Sequence, residues 1–129
     1  KMAKKKELEK EGKILKREWK NIIFNLIFAL IALLIPCFFY KNIILATTLL
    51  IVLSLMALIK WKSWVTFVVF IFVAICGPIA EMIAISLGVW QYANFNFINI
   101  PIWLFVLWGD AAAFIYQTAL EFRKFGIKK

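Results

Sequence analysis

The sequence predicts an all-α polytopic membrane protein, a four-transmembrane-helix bundle preceded by a basic amphipathic N-terminal helix. Three observations carry this. The 129 residues are 64% apolar and have a mean hydropathy of +0.88, whereas a small soluble domain stays near half apolar to cover itself with polar groups. The apolar residues gather in four long runs, each matching the ~20 residues that cross ~30 Å of hydrocarbon. The charges lie almost entirely beside those runs, giving a net charge of +9. That placement suits anionic lipid headgroups better than nucleic acid.

Residues 1–20 form the first predicted segment, a basic cytoplasmic or interfacial helix with nine Lys or Arg. Leu8, Leu15, Trp19 and Ile22 recur in it at helical spacing. The apolar run that follows is too long for a signal peptide, and no small-residue cleavage site closes it. Residues 21–122 form the transmembrane domain. Its first span covers 21–40 and ends near Pro36 and Tyr40, and its second covers 43–59 after a turn at Lys41-Asn42. The third covers 65–89 after the KWKSW segment, and the fourth runs from Pro101 to Phe122. Residues 123–129 form a basic tail.

Orientation follows from the basic residues. Fifteen of the sixteen lie on the side of the two termini and only Lys41 on the other, so both termini are expected in the cytoplasm and the protein in the plasma or inner membrane. Trp19, Trp61 and Trp64 then mark the inner interface, and Tyr40, Trp90, Tyr92 and Trp103 the outer one. The outer connection, 89–100, is uncharged and carries Asn94, Asn96 and Asn99 among aromatic and aliphatic residues. It is expected to lie flat in the interface or to fold back as a lid, with Asn99 capping the fourth helix ahead of Pro101.

Two acids fall inside spans, Glu81 in the third and Asp110 in the fourth. Each lies some eight or nine residues from the outer end of its helix, which places both ~12–14 Å deep. A carboxyl there costs roughly 2.5–3.5 kcal/mol to insert, so both should face the bundle or a cavity. No lysine or arginine lies at their depth. Glu81 follows Gly77-Pro78, where the proline leaves the Ala74 carbonyl without its helical donor, and a helical side chain leans back toward that turn. Trp103, Asp110 and Gln117 recur at seven-residue spacing with Ala113 on the same face, and Trp108 lies too deep for an interface anchor. Gly77, Glu81, Ala84 and Gly88 share a face that admits a close neighbour or a ligand. The candidate site is therefore Glu81, Asp110, Trp108, Trp103, Gln117 and Tyr92, with Glu81 and Asp110 the candidates for any catalysis. The chain has no histidine and only Cys37 and Cys76, so no metal or cofactor is expected. Both cysteines are expected to serve as small apolar packing residues. Thr47, Thr48 and Ser54 in the second span are expected to bond backbone carbonyls.

The stretch GPIAEMIAISLGVWQYANFNFINIPIWLFVLWGD, residues 77–110, resembles small, functionally uncharacterised four-helix membrane proteins of archaea and little-cultured bacteria. The shared pattern is a Gly-Pro-x-x-Glu turn, a Gly-x-Trp-x-Tyr segment and an Ile-Pro-x-Trp-Leu…Trp-Gly helix start. The same stretch is similar to the carotenoid hydratases and cyclases, membrane enzymes of isoprenoid chains, in which an acid precedes a Gly-x-Trp/Tyr-x-Tyr element and a proline-started helix. That likeness implies a role for Glu81 as the matched acid. The chain lacks the paired glutamates that follow the proline in the cyclases and has fewer spans.

Three functions fit these readings. A binding or transport site could open outward beneath the Asn-rich loop, with Glu81 and Asp110 exchanging protons or meeting a small or lipid-like ligand; four helices are few for a transporter, so this version implies a homo-oligomer. A lipid- or isoprenoid-modifying enzyme could use Glu81 as a proton donor. A non-catalytic accessory or assembly subunit of a larger complex could use both acids to pin helices together.

Overall fold

The computed structural model describes residues 2–124, the side chains at 14 and 15 excepted. Four α-helices account for most of them: α1 (Met2–Phe39), α2 (Ile43–Trp61), α3 (Trp64–Ser86) and α4 (Trp103–Lys124). Each is long and apolar enough to cross a membrane, and together they form the all-α four-helix bundle that the sequence predicts. Residues 125–129, most of the predicted basic tail, lie outside the described residues.

The basic N-terminal segment and the first span are one helix of 38 residues. No proline interrupts it before Pro36, so at 1.5 Å per residue it is nearly twice as long as the hydrocarbon is thick. Its first part extends beyond the bundle. Of the predicted apolar stripe, Leu8 and Trp19 are exposed and Ile22 is buried, and the side chain of Leu15 lies outside the described residues.

Capping explains the connections. Asn42 caps α2 by accepting a bond from the Leu45 N–H at 3.2 Å. Lys62 closes α2 in the left-handed conformation, and Ser63 immediately caps α3 by accepting from the Thr66 N–H at 3.1 Å. At its other end α3 stops at Ser86, short of the predicted residue 89. The Val89 N–H bonds the Ala84 carbonyl and the Gly88 N–H bonds that of Ile85, both at 3.0 Å. This is a Schellman closure, and it places Gly88 at a φ of +84° that a side chain would oppose.

The connection between α3 and α4 folds back over the bundle. Ile100 is fully buried beside Ala46, Leu50, Trp103 and Leu104, and a tight Phe97–Ile100 turn, with Ile98 left-handed, presents it inward. Asn94 donates to the Tyr40 carbonyl at the end of α1, and Asn99 to the Met82 carbonyl of α3, each at 3.2 Å. Asn96, and not Asn99 as expected, serves the start of α4: its side-chain oxygen accepts from the Ile102 N–H at 2.9 Å. The turn carries Asn99 round to α3, out of capping range.

α4 is the central helix. It packs on each of the other three, α3 touches α2 only lightly, and α1 and α3 make no close backbone approach among the described residues. Glycine permits the tightest contacts, with the Trp108 indole against Gly77 and the Phe70 ring against Gly109. Cys37 and Cys76 are free and exposed, which corrects their expected packing role; a small apolar group suits an exposed, lipid-facing position equally well. Trp61, Tyr92 and Trp103, expected as interface anchors, turn inward, while Trp19, Trp64, Tyr40 and Trp90 are exposed. Each inward ring finds a partner in the bundle: Asn25 for Trp61, Glu81 for Tyr92, and the Tyr92 ring for Trp103.

Candidate functional site

Because α1 and α3 stand apart, a cleft remains over the middle of α4. It holds a cavity of about 370 Å³ bordered by Ala29, Ala32 and Leu33 of α1, by Glu81 of α3, and by Trp108 and Asp110 of α4. Small residues on α1 leave the room, and exposed Leu33 and Ala111 at the rim open it sideways on the α1–α4 seam. Toward the loop end it adjoins a second cavity, also about 370 Å³, with which it shares Leu33, Tyr92 and Leu107. The second is bordered by Pro36, Tyr40, Gln91 and Trp103. The walls of both are chiefly apolar with a few polar groups, the usual make-up of a small-molecule site.

Asp110 is buried, 1% exposed. Its Oδ1 accepts from the Ser54 hydroxyl at 2.5 Å, and the same hydroxyl lies 2.7 Å from the Leu50 carbonyl. The serine hydroxyl therefore sits between the Asp110 carboxyl and the backbone carbonyl, within hydrogen-bonding distance of both. The other carboxyl oxygen, Oδ2, has no hydrogen-bond partner among the described residues. Glu81 is held differently. Tyr92 donates its hydroxyl to Oε1 and Trp108 its indole N–H to Oε2. The expected contact of Glu81 with the proline-freed turn is not made. The two donors draw its carboxyl across to α4 and the loop, and the two acids do not bond each other. They share a cavity and have separate partners.

Of the predicted site residues, Glu81, Asp110, Trp108 and Tyr92 border the first cavity. Trp103 borders the second, edge-on to Tyr92 with centroids 5.9 Å apart, and its buried Nε1 has no partner among the described residues. Gln117 stands apart. It donates to Thr66 Oγ1 at 2.5 Å and borders a third cavity at the end of the bundle near the termini. Two turns along α4 carry it about 10 Å from Asp110, too far to share a ligand group. Sequence reasoning passed over Ala29 and Ala32, and it gave Ser54 only the backbone bond that the structure shows, to the Leu50 carbonyl, and not its contact with Asp110. The signal for Ser54 is its place as a hydroxyl within the apolar IVLSLMAL run, although which helix it faces is not encoded there.

Tyr92 lies outside the helices, and its phenol is pushed well above its ordinary value, first by burial and then by the hydrogen bond and charge of Glu81. Ionisation thus disfavours the folded state. The stability that Tyr92 contributes is complete below the ordinary phenol value near 10 and is lost as pH rises beyond it. In a spectroscopic alkaline titration of the three tyrosines, one phenolate is expected to appear late, and Tyr92→Phe should remove that late phase alone.

This fold and this site define a polytopic helical membrane protein with a carboxylate-bearing cavity inside its bundle. No protein-family model, curated protein or solved structure matches the chain.

Proposed function

We propose that the protein binds an elongated, largely apolar ligand carrying a hydrogen-bonding head, admitted from the bilayer along the α1–α4 seam. One observation carries this reading: Asp110, 1% exposed, has an unpartnered Oδ2 and borders an apolar cavity of about 370 Å³. A buried polar atom left unbonded costs roughly 1–3 kcal/mol, and a ligand head would recover it. The indole N–H of Trp103 offers a second free polar atom toward the loop end. An alkene-protonating role would require Glu81 to offer its proton to the cavity, and both of its oxygens already accept bonds. In the same reading the termini face the cytoplasm and the α1 overhang meets anionic headgroups, as the basic residues imply.

A photoactivatable long-chain alcohol is the probe. In detergent it should label the α1 segment 29–33 and the α4 segment 104–114, and unmodified hexadecanol should compete. Ala29→Trp, which fills the cavity, should abolish that labelling. Asp110→Leu should weaken competition by the alcohol about tenfold, the loss of one strong hydrogen bond, while leaving competition by an alkane unchanged. Uniform labelling of all the exposed helix faces, unaltered in Ala29→Trp, would sink the proposal.

A further inference from the structure

The third cavity differs in kind. It measures about 200 Å³, lies at the end of the bundle near the termini, and is bordered mainly by polar groups from α1, α2 and α4. We propose that it binds a primary ammonium group, with Glu121 as the anionic partner and Phe24 and Trp61 as an aromatic wall.

The argument begins from the α1 face turned to α4. Glu18, Ile22 and Asn25 follow one another there at helical spacing, and all are buried. Opposite them α4 presents Gln117 and Glu121, 8% and 4% exposed. Most of these polar atoms are paired. Trp61 Nε1 donates to Asn25 Oδ1 at 3.0 Å, and Asn25 Nδ2 donates to Thr118 at 3.3 Å. Arg17 meets Glu18 Oε1 at 3.3 Å and Lys124 meets Glu18 Oε2 at 3.4 Å. Glu121 Oε1 receives Asn21 Nδ2 at 3.2 Å and Lys124 Nζ at 3.5 Å. Among the described residues Glu121 Oε2 receives nothing.

A buried carboxylate oxygen without a donor, beside a polar cavity, calls for an occupant that donates. Glu121 is the carboxylate that borders the cavity, and the two lysines beside it are engaged, Lys124 with Glu18 and Glu121 and Lys60 over the Phe24 ring, so neither is free to hold an anion. A bare metal ion would need several hard ligands, and no group of three or more His, Cys, Asp or Glu among the described residues could hold one. An ammonium brings its own N–H donors and needs only one carboxylate. The walls suit it as well. Lys60 Nζ already lies 4.5 Å from the centroid of the Phe24 ring, and Trp61 stands edge-on to that ring at 6.1 Å, so aromatic faces beside the cavity accept an ammonium. Lys124, with a half-exposed side chain, acts as the internal competitor: its ammonium already shares Glu121 and can swing outward when a ligand enters. A quaternary ammonium has no N–H for Oε2 and should be refused.

Such a group reaches this depth from two sources, a free small amine or the headgroup of an ethanolamine phospholipid. The full chain labelled with 5-fluorotryptophan gives six resonances, one per tryptophan, with Trp61 assigned from Trp61→Phe. In detergent, ethanolamine should move the Trp61 resonance saturably, while choline and sodium chloride at matched ionic strength should not. If only bilayers of phosphatidylethanolamine, compared with phosphatidylcholine of the same chains, move it, the lipid is the source. Glu121→Gln should weaken the response at least about tenfold through loss of a charge-assisted bond, and Lys124→Met should strengthen it. No movement in either medium, equal movement with sodium or choline, or a Glu121→Gln titration like that of the parent would overturn the proposal. Should Glu121→Gln fail to fold, the ethanolamine-against-choline comparison on the parent chain decides alone.

Discussion

Gly77→Ala is expected to destabilise the bundle by about 2–3 kcal/mol, the upper range for overpacking a tight contact. A Cβ at Gly77 would lie 2.7 Å from Trp108 Cε3 and closer still to Cγ and Cδ2. Those atoms are the rigid interior of the indole. The ring cannot swing clear without cost, because its N–H is given to Glu81 one turn further along the same α3. Gly109 supplies the control. A Cβ there would meet Phe70 Cζ at 2.7 Å and its neighbours at 2.8 Å, which is the free edge of a half-buried ring that can slide toward lipid. Alanine also gains about 1 kcal/mol of helix propensity over glycine, so Gly109→Ala should be near neutral while Gly77→Ala remains strongly unfavourable. Thermal unfolding in detergent, followed by circular dichroism, measures both. In a Trp108→Ala background the Gly77→Ala cost should largely vanish, and an equal cost in both backgrounds would place its cause elsewhere.

Much of this architecture is legible in the residues themselves. Four apolar runs translate directly into four helices, since the bilayer leaves a backbone few other ways to satisfy its N–H and C=O groups. The boundaries that moved did so for local reasons. The third helix ends at Ser86 because Gly88 takes a left-handed cap. The basic segment fuses with the first span because nothing in it breaks a helix. The inward turn of Asp110 and the seven-residue stripe through Trp103, Asp110 and Gln117 are likewise readable, and all three are buried.

The partners were harder to read. Periodicity assigns a side chain to a face of its own helix and says nothing about the axial register of the neighbour. Ser54 meets Asp110, and Thr66 meets Gln117, because α2 and α3 stand at particular heights beside α4. The polar face of α1 is only partly legible. Asn25 interrupts an apolar run and falls seven residues after Glu18, but nine basic residues surrounding that stretch make it read as a solvated helix. Tyr92 and Trp61 look like interface anchors in any linear reading, and only the fold shows which aromatic rings have buried acceptors to meet.

Glu81 is the residue whose removal should most disturb the loop end. Two donors converge on it, one from the connection and one from α4, so its carboxylate joins α3, the loop and the central helix at one point. Side-chain hydrogen bonds in membrane bundles average only ~0.6 kcal/mol, because an unfolded chain in lipid finds other partners. Tyr92→Phe should accordingly cost about 1 kcal/mol or less. Glu81→Leu is a different case. It strands the Trp108 N–H and the Tyr92 hydroxyl together in an apolar setting, and at roughly 1–3 kcal/mol for each unsatisfied donor the cost should reach about 3 kcal/mol. Glu81→Gln falls between them, since a carbonyl oxygen can serve one donor while the amide N–H₂ confronts the other. The local readout is hydrogen exchange of the 87–102 amides. Exchange should quicken in the order Tyr92→Phe, Glu81→Gln, Glu81→Leu, while the α2 amides remain protected. If Glu81→Leu left loop exchange at the parent rate, the carboxylate would not be what fastens the connection over the cavity. If all three variants loosened α2 as well, the loop end would be part of the global core and not a separately released cover. The predicted order, confined to the loop, requires that Glu81 act as a clasp on the Tyr92 side of the ligand cavity.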